Sequence, residues 1–125
     1  MKEQIIEFKT AKLAKEKGFN ELTLFWYITS ISNRRDDRIK GTWNDFSTMF
    51  SAPTQSLLQR WLREEKEILV VADYDVNKDK YFYWIMLKDV GTRFHSKTVS
   101  DREYFHTFEE ALEAGLKDGL KLNIV

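Results

Sequence analysis

Asp75, Asn77 and Asp79 alternate with the spacing of the first three ligands of a calcium-binding EF-hand loop. Such a loop also needs glycine at its sixth position for a sharp turn and glutamate at its twelfth to complete the shell. The chain has Lys80 and Met86 there, so the stretch reads as a solvated polar turn and no metal ligand is assigned. Histidine occurs twice, at His95 and His106. A zinc site would have to recruit carboxylates, and a histidine base would need partners from elsewhere in the chain. Serine, histidine and acidic residues coexist without a Gly-x-Ser-x-Gly elbow, and neither Gly-x-Gly-x-x-Gly nor a Walker-type loop is present to hold phosphates. No catalytic or cofactor-binding residue is assigned and no cofactor is expected. A small hydrolase or nuclease using Asp or Glu with a histidine is kept as a third reading.

Two kinds of binding chemistry remain. Gln55, Gln59, Arg60 and Arg63 fall on one helical segment and could read base edges, with the following hairpin near the backbone and Arg34, Arg35, Arg38 and Lys40 adding phosphate contacts. Against this, Glu64, Glu65, Glu67, Asp73, Asp75 and Asp79 surround the same element with charge that phosphates repel. The second chemistry is aromatic. The 125 residues include nine Phe, five Tyr and four Trp, enough to fill a core and leave rings for a surface, and Trp43, Tyr81 and Tyr83 are the candidates for contact with a partner.

Twenty basic and twenty acidic side chains cancel, which removes the net positive field that sequence-independent nucleic-acid binding relies on. Without cysteine there is no disulfide, thiolate nucleophile or thiolate metal site. A reducing cytoplasm suits such a chain. Its opening, Met1 to Phe8, is too charged for a signal-peptide core, and no run of about twenty apolar residues is present to span a bilayer. The length fits one domain, and the single proline and scattered glycines mark no linker.

The elements that must position these residues follow from local signals. Gln4 to Phe8 reads as a short strand, and Thr10 as the N-cap of a helix through Lys17 that closes on Gly18. Leu22 to Ile31 alternates as a strand, and the charged run Asn33 to Gly41 reads as a turn. Thr42 to Phe50 carries no clear signal. Leu57, Leu58, Trp61 and Leu62 form one apolar helical stripe, with Pro53 in the first turn and Ser51 or Thr54 as cap. Ile68 to Tyr74 and Tyr81 to Lys88 flank a polar turn, the composition of an antiparallel hairpin, and a third strand is expected over Arg93 to Val99. Thr107-x-x-Glu110 has capping-box spacing. The helix it starts would bury Phe108, Ala111, Leu112, Gly115, Leu116, Gly119 and Leu120, leaving Glu109, Glu113, Lys117 and Lys121 outside. Two glycines in its interior each cost roughly 1 kcal/mol relative to alanine, so close packing against them is expected.

Three blocks also carry a resemblance. Ala52 to Glu64 (APTQSLLQRWLRE), Thr10 to Phe19 (TAKLAKEKGF) and Glu109 to Lys117 (EEALEAGLK) resemble a group of small uncharacterised proteins encoded by bacteriophages, prophages and mobile elements, notably in Bacteroides-like bacteria. Thr29 to Phe50 and Asp89 to His106 carry no part of it. The resemblance implies a phage or mobile-element origin and residence in the bacterial cytoplasm, and it supplies no catalytic residues.

The expected fold is a single α+β domain spanning residues 1–125, about three helices packed on a mainly antiparallel sheet of four to five strands, with Trp61, Leu58, Leu62, Ile85, Leu112 and Leu116 in the core. The expected function is that of a non-catalytic phage accessory protein that binds a protein, either a host factor or a second copy of itself, away from any membrane. The alternative is a winged-helix-like DNA- or RNA-binding protein.

Overall fold

The computed structural model describes residues 4–28, 31–41, 49–87, 92–94 and 103–122. They gather into two compact units, Met1–Leu57 and Leu58–Val125, each with its own three-stranded antiparallel sheet. The single sheet of four or five strands expected from the sequence is therefore two smaller ones. Every strand pairs within its own unit, as short connections favour, and the central helix separates the two sets in sequence.

In the first unit, helix α1 (Phe8–Glu16) is followed by strands β1 (Thr23–Ile28), β2 (Ile31–Gly41) and β3 (Met49–Ser51), in the order β2-β1-β3. The short strand expected over Gln4 to Phe8 is only an isolated bridge between Ile5 and Thr54. Thr10 does not cap α1. It lies inside the helix, fully buried, and Glu7 occupies the N-cap without a side-chain cap bond. The Phe8 ring packs edge-on against Tyr27 and Phe50, with centroids 5.6 and 5.5 Å apart. Anchoring that ring starts the helix before Thr10, and the burial outweighs a cap bond worth about 1 kcal/mol. The C-terminus is as expected: Gly18 takes φ +97°, and Phe19 N–H donates to the Ala14 carbonyl at 3.0 Å while Gly18 N–H donates to Lys15 at 3.1 Å, a Schellman closure.

The charged run read as a turn is strand β2. It pairs with β1 from Thr23 opposite Gly41 to Ile28 opposite Ile31, and two irregularities absorb its extra residues. A strand needs a partner more than a strand-forming composition, and the aromatic β1 is that partner. The Tyr27 hydroxyl donates to the Ile6 carbonyl at 2.7 Å, and Lys15 Nζ donates to the Met49 carbonyl at 2.9 Å.

The unit boundary falls within helix α2 (Gln55–Glu65), whose first turn is capped by Thr54 Oγ1 accepting from Leu57 N–H at 3.2 Å. The second unit continues through strands β4 (Ile68–Asp75), β5 (Lys80–Leu87) and β6 (Thr92–Phe94), in that sheet order, to helix α3 (Phe108–Lys121). β4 and β5 pair in register from Ile68 opposite Leu87 to Asp75 opposite Lys80. β6 covers the start of the expected third strand, whose remainder, residues 95–99, lies outside the described residues. Thr107 Oγ1 accepts from Glu110 N–H at 3.0 Å, making the expected cap of α3. All six expected core residues are buried. Two expectations on α3 are reversed: Glu113 is buried and Phe108 is exposed. The buried face is wider than one stripe, and Phe108, the helix's first residue, turns its ring to Tyr81 instead. No helix among the described residues is long and apolar enough to cross a membrane.

Candidate protein-binding surface

The tip of the β4–β5 hairpin and the start of α3 make one aromatic surface in the second unit. The Tyr81 backbone N–H donates to the Phe105 carbonyl at 2.9 Å, and the Tyr81 carbonyl accepts from the Phe105 N–H at 2.7 Å. Tyr74 opposite Tyr81 is therefore a pair without mutual backbone bonds, the arrangement in which cross-strand side chains come closest. Their ring centroids lie 5.1 Å apart with planes at 56°, and the Phe108 ring meets Tyr81 edge-on at 6.3 Å and 88°. Tyr74 is 44% exposed, Phe108 42% and Val76 at the turn 76%. Three of the four large exposed hydrophobic residues among the described residues thus lie at this one place; Leu22 is the fourth.

Farther along the same sheet face the rings are dry. Tyr83 is 6% exposed, its ring near Phe105 and its hydroxyl donating to Asp118 Oδ2. The difference between Tyr81 and Tyr83 is the reach of α3. The helix lies over Tyr83 at Gly115, where an added Cβ would come within 3.0 Å of the Tyr83 ring and 2.8 Å of Val70 Cγ1, while its first residue stands beside Tyr81.

Of the neighbouring carboxylates only that of Asp79 meets the rings; Asp73 and Asp75 alternate with Tyr74 and so stand on the other face of the sheet, where Tyr104 packs on Phe82 at 6.2 Å. The Tyr74 hydroxyl donates to Asp79 Oδ1, Tyr74 N–H to Asp73 Oδ1 at 2.8 Å, and the Tyr104 hydroxyl to Asp75 Oδ2 at 3.0 Å. The hydrogen bond to Asp79 pushes the Tyr74 pKa above its ordinary value, helped by burial and by the charges of Asp79, Tyr81 and Asp75. In the turn, Asp75 Oδ1 accepts from the N–H groups of Asn77 (3.0 Å) and Lys78 (3.4 Å). The calcium-like spacing therefore serves the turn itself. Among the described residues no three His, Cys, Asp or Glu side chains are grouped to hold a metal.

The other sequence candidates are dispersed. Trp43 and His95 lie outside the described residues, and His106 is exposed ahead of α3. Gln55 is only 4% exposed, so it is not presented to a ligand. Gln59 Nε2 donates to the Val70 carbonyl at 2.7 Å, Arg60 faces Glu64 at 3.8 Å on the helix surface, and Arg63 is half-buried. These four do not form one polar face. Arg34, Arg35, Arg38 and Lys40 lie in β2 of the other unit. The first unit also holds an apolar cavity of about 160 Å³ lined by Ile5, Leu22, Leu24, Phe25, Pro53 and Leu57. Thr23 and Thr54, also on its wall, spend their hydroxyls on the Phe25 carbonyl (3.0 Å) and the Leu57 N–H (3.2 Å).

Of the surface, the sequence pointed to Tyr81 alone. Tyr74 could have been found from the expected hairpin, whose register places it opposite Tyr81; Phe108 could not, because its helical phase matches the buried side. No family model matches the chain, and the comparisons with curated proteins and with solved structures gave no match.

Proposed function

We propose that the chain is a phage or mobile-element accessory protein of the bacterial cytoplasm that acts as a non-catalytic protein-binding module through Tyr74, Tyr81 and Phe108. The observation that carries this reading is the clustering of the exposed Tyr74 and Phe108 rings on the half-buried Tyr81 at one end of the hairpin, with Val76 exposed in its turn. Exposed apolar side chains scattered singly need no explanation, whereas contiguous aromatic ones resemble the anchors that carry interface energy. The test is capture of partners from host lysate, with and without nuclease, by the wild-type chain and by a Tyr81→Ala/Phe108→Ala double variant. A nuclease-resistant protein held by the wild type and lost by the variant is expected. Identical retention by both would overturn the reading.

The winged-helix-like alternative draws its support from the observed order of α2, β4 and β5. It requires Arg60→Ala or Arg63→Ala to weaken a salt-sensitive affinity for DNA or RNA. The burial of Gln55 and the engagement of Gln59 weigh against it.

A further inference from the structure

We propose that the apolar cavity of the first unit is a binding site for a small neutral apolar molecule, a benzene-sized ring or a short branched chain of about six to eight non-hydrogen atoms. The site is independent of the aromatic surface on the second unit. It arises where the chain changes its pairing partner. Ala52 N–H donates to the Phe25 carbonyl at 2.9 Å, the last bond of the run that pairs β3 with β1. From Pro53 onward the same segment pairs with the N-terminal residues instead: Ile6 N–H donates to the Pro53 carbonyl at 3.1 Å and Gln55 N–H to the Gln4 carbonyl at 2.8 Å, with Ile5 opposite Thr54. The fork left between the start of β1 and Ile5 is the cavity.

Its wall specifies the ligand. The volume is about 160 Å³, well below the roughly 300–1,000 Å³ that drug-sized ligands and cofactors occupy. An apolar cavity of about 150 Å³ lined by Leu, Ile and Phe stays dry and takes up benzene or xenon. No charged side chain lies among the described residues of this wall. The Thr23 and Thr54 hydroxyls serve the Phe25 carbonyl and the Leu57 N–H, and the carbonyls of Gln4, Phe25 and Pro53 each accept a backbone N–H. An ion or a strongly hydrogen-bonding molecule would therefore lose its water here without replacement, whereas an apolar one has none to lose. A protein side chain would bring in peptide groups that need partners of their own, and the polar groups at this fork are already engaged. Entry is open beside Leu22, which lines the cavity while remaining 56% exposed. A ligand lodged there also covers that side chain, the one large exposed hydrophobic residue among those described that lies apart from the aromatic surface.

The test is a titration of the isotope-labelled full chain, followed by methyl chemical shifts, with toluene, with benzoate and with a neutral leucine-containing peptide. Toluene should move the methyls of Ile5, Leu22, Leu24 and Leu57 saturably, with a dissociation constant on the order of a millimolar or tighter, and leave those of Ile85 and Leu116 in place. Benzoate, a ring of similar size carrying a charge, should move none of them. Leu22→Ala, an exposed change, should weaken toluene about three- to ten-fold, and Leu57→Phe, which adds volume to the wall, should abolish its binding. Should Leu57→Phe fail to fold, Leu22→Ala decides alone. The inference is overturned by toluene shifts that never saturate or that appear equally at Leu116, by undiminished binding in Leu22→Ala, or by benzoate binding as tightly as toluene. If the peptide moves these methyls and toluene does not, the cavity is an anchor for a protein side chain and the proposal of a free ligand fails.

Discussion

Tyr74 shows how one side chain joins the turn to the surface. Its hydroxyl donates to Asp79, so the protonated phenol is favoured in the fold and its pKa is raised above the ordinary 10.0, first by that bond, then by burial and the neighbouring negative groups. A group whose pKa is raised on folding contributes stability that is complete below its unfolded value and is lost as pH rises through the folded value. Stability should therefore decline as pH climbs above about 10, and less so in Tyr74→Phe. Ultraviolet titration of tyrosinate should show a late-ionising tyrosine that disappears in Tyr74→Phe and moves earlier in Asp79→Asn; an unchanged curve in Asp79→Asn would remove the assignment. Tyr83 sets the contrast. It lies on the same sheet face as Tyr81, and strand alternation, the signal available from sequence, cannot separate the two. Under α3 its hydroxyl serves Asp118, so Tyr83→Phe should cost about 1–2 kcal/mol in urea unfolding while leaving partner capture intact. Loss of capture in that variant would mean that the surface extends farther than the exposed rings.

Among the elements, those legible in the sequence carry their instructions locally. The Thr54 cap and Leu/Trp stripe of α2, the β4–β5 hairpin and the Thr107–Glu110 capping box of α3 all need only neighbours along the chain. Those misread were decided by distant partners: the Tyr27 and Phe50 rings that start α1 at Phe8, and the β1 strand that turns a charged run into β2. Two side chains occupy carbonyls of edge strands, Lys15 at Met49 of β3 and Gln59 at Val70 of β4, which reduces the backbone available for stray strand pairing. The glycines of α3 follow from sequence in kind but not in degree. A Cβ at Gly115 would lie 2.8 Å from Val70 Cγ1 and 3.0 Å from the Tyr83 ring, whereas at Gly119 its nearest neighbour is Val70 Cγ2 at 3.1 Å. Alanine gains about 1 kcal/mol of helix propensity at either site. At Gly115 a short branched strand side chain and a buried ring must both move, and overpacking of about 1–3 kcal/mol cancels or exceeds that gain. Gly115→Ala should therefore unfold at lower denaturant than Gly119→Ala, which should stay within about 1 kcal/mol of the wild type. The reverse order would place the tight contact elsewhere along the helix.

For the molecule as a whole, composition reports neutrality and an ample supply of rings, and neither figure reveals where the surface lies. Among the described elements, β4, β5 and α3 carry the fully buried Val70, Ile85, Leu116 and Leu120, while the large fully buried side chains of α1 and β3 are Thr10 and Ser51. Aliphatic burial of that kind contributes about 1.5–3 kcal/mol per side chain, and local opening is easiest where such contacts are few. Native-state hydrogen exchange should accordingly find the amides of β4, β5 and α3 more protected than those of α1 and β3. Equal protection throughout would mean that the chain opens as one cooperative body, and the opposite order would contradict the burial argument. The expected order matters for binding because the aromatic surface stands on the second unit. Rings carried by a well-protected hairpin and the first turn of a capped helix are already ordered, so a partner meets them without the ordering cost that a mobile loop would impose. A partner that binds this surface should then leave the protection of β4 and β5 nearly unchanged. A large rise in their protection on binding would show instead that the hairpin folds onto its partner.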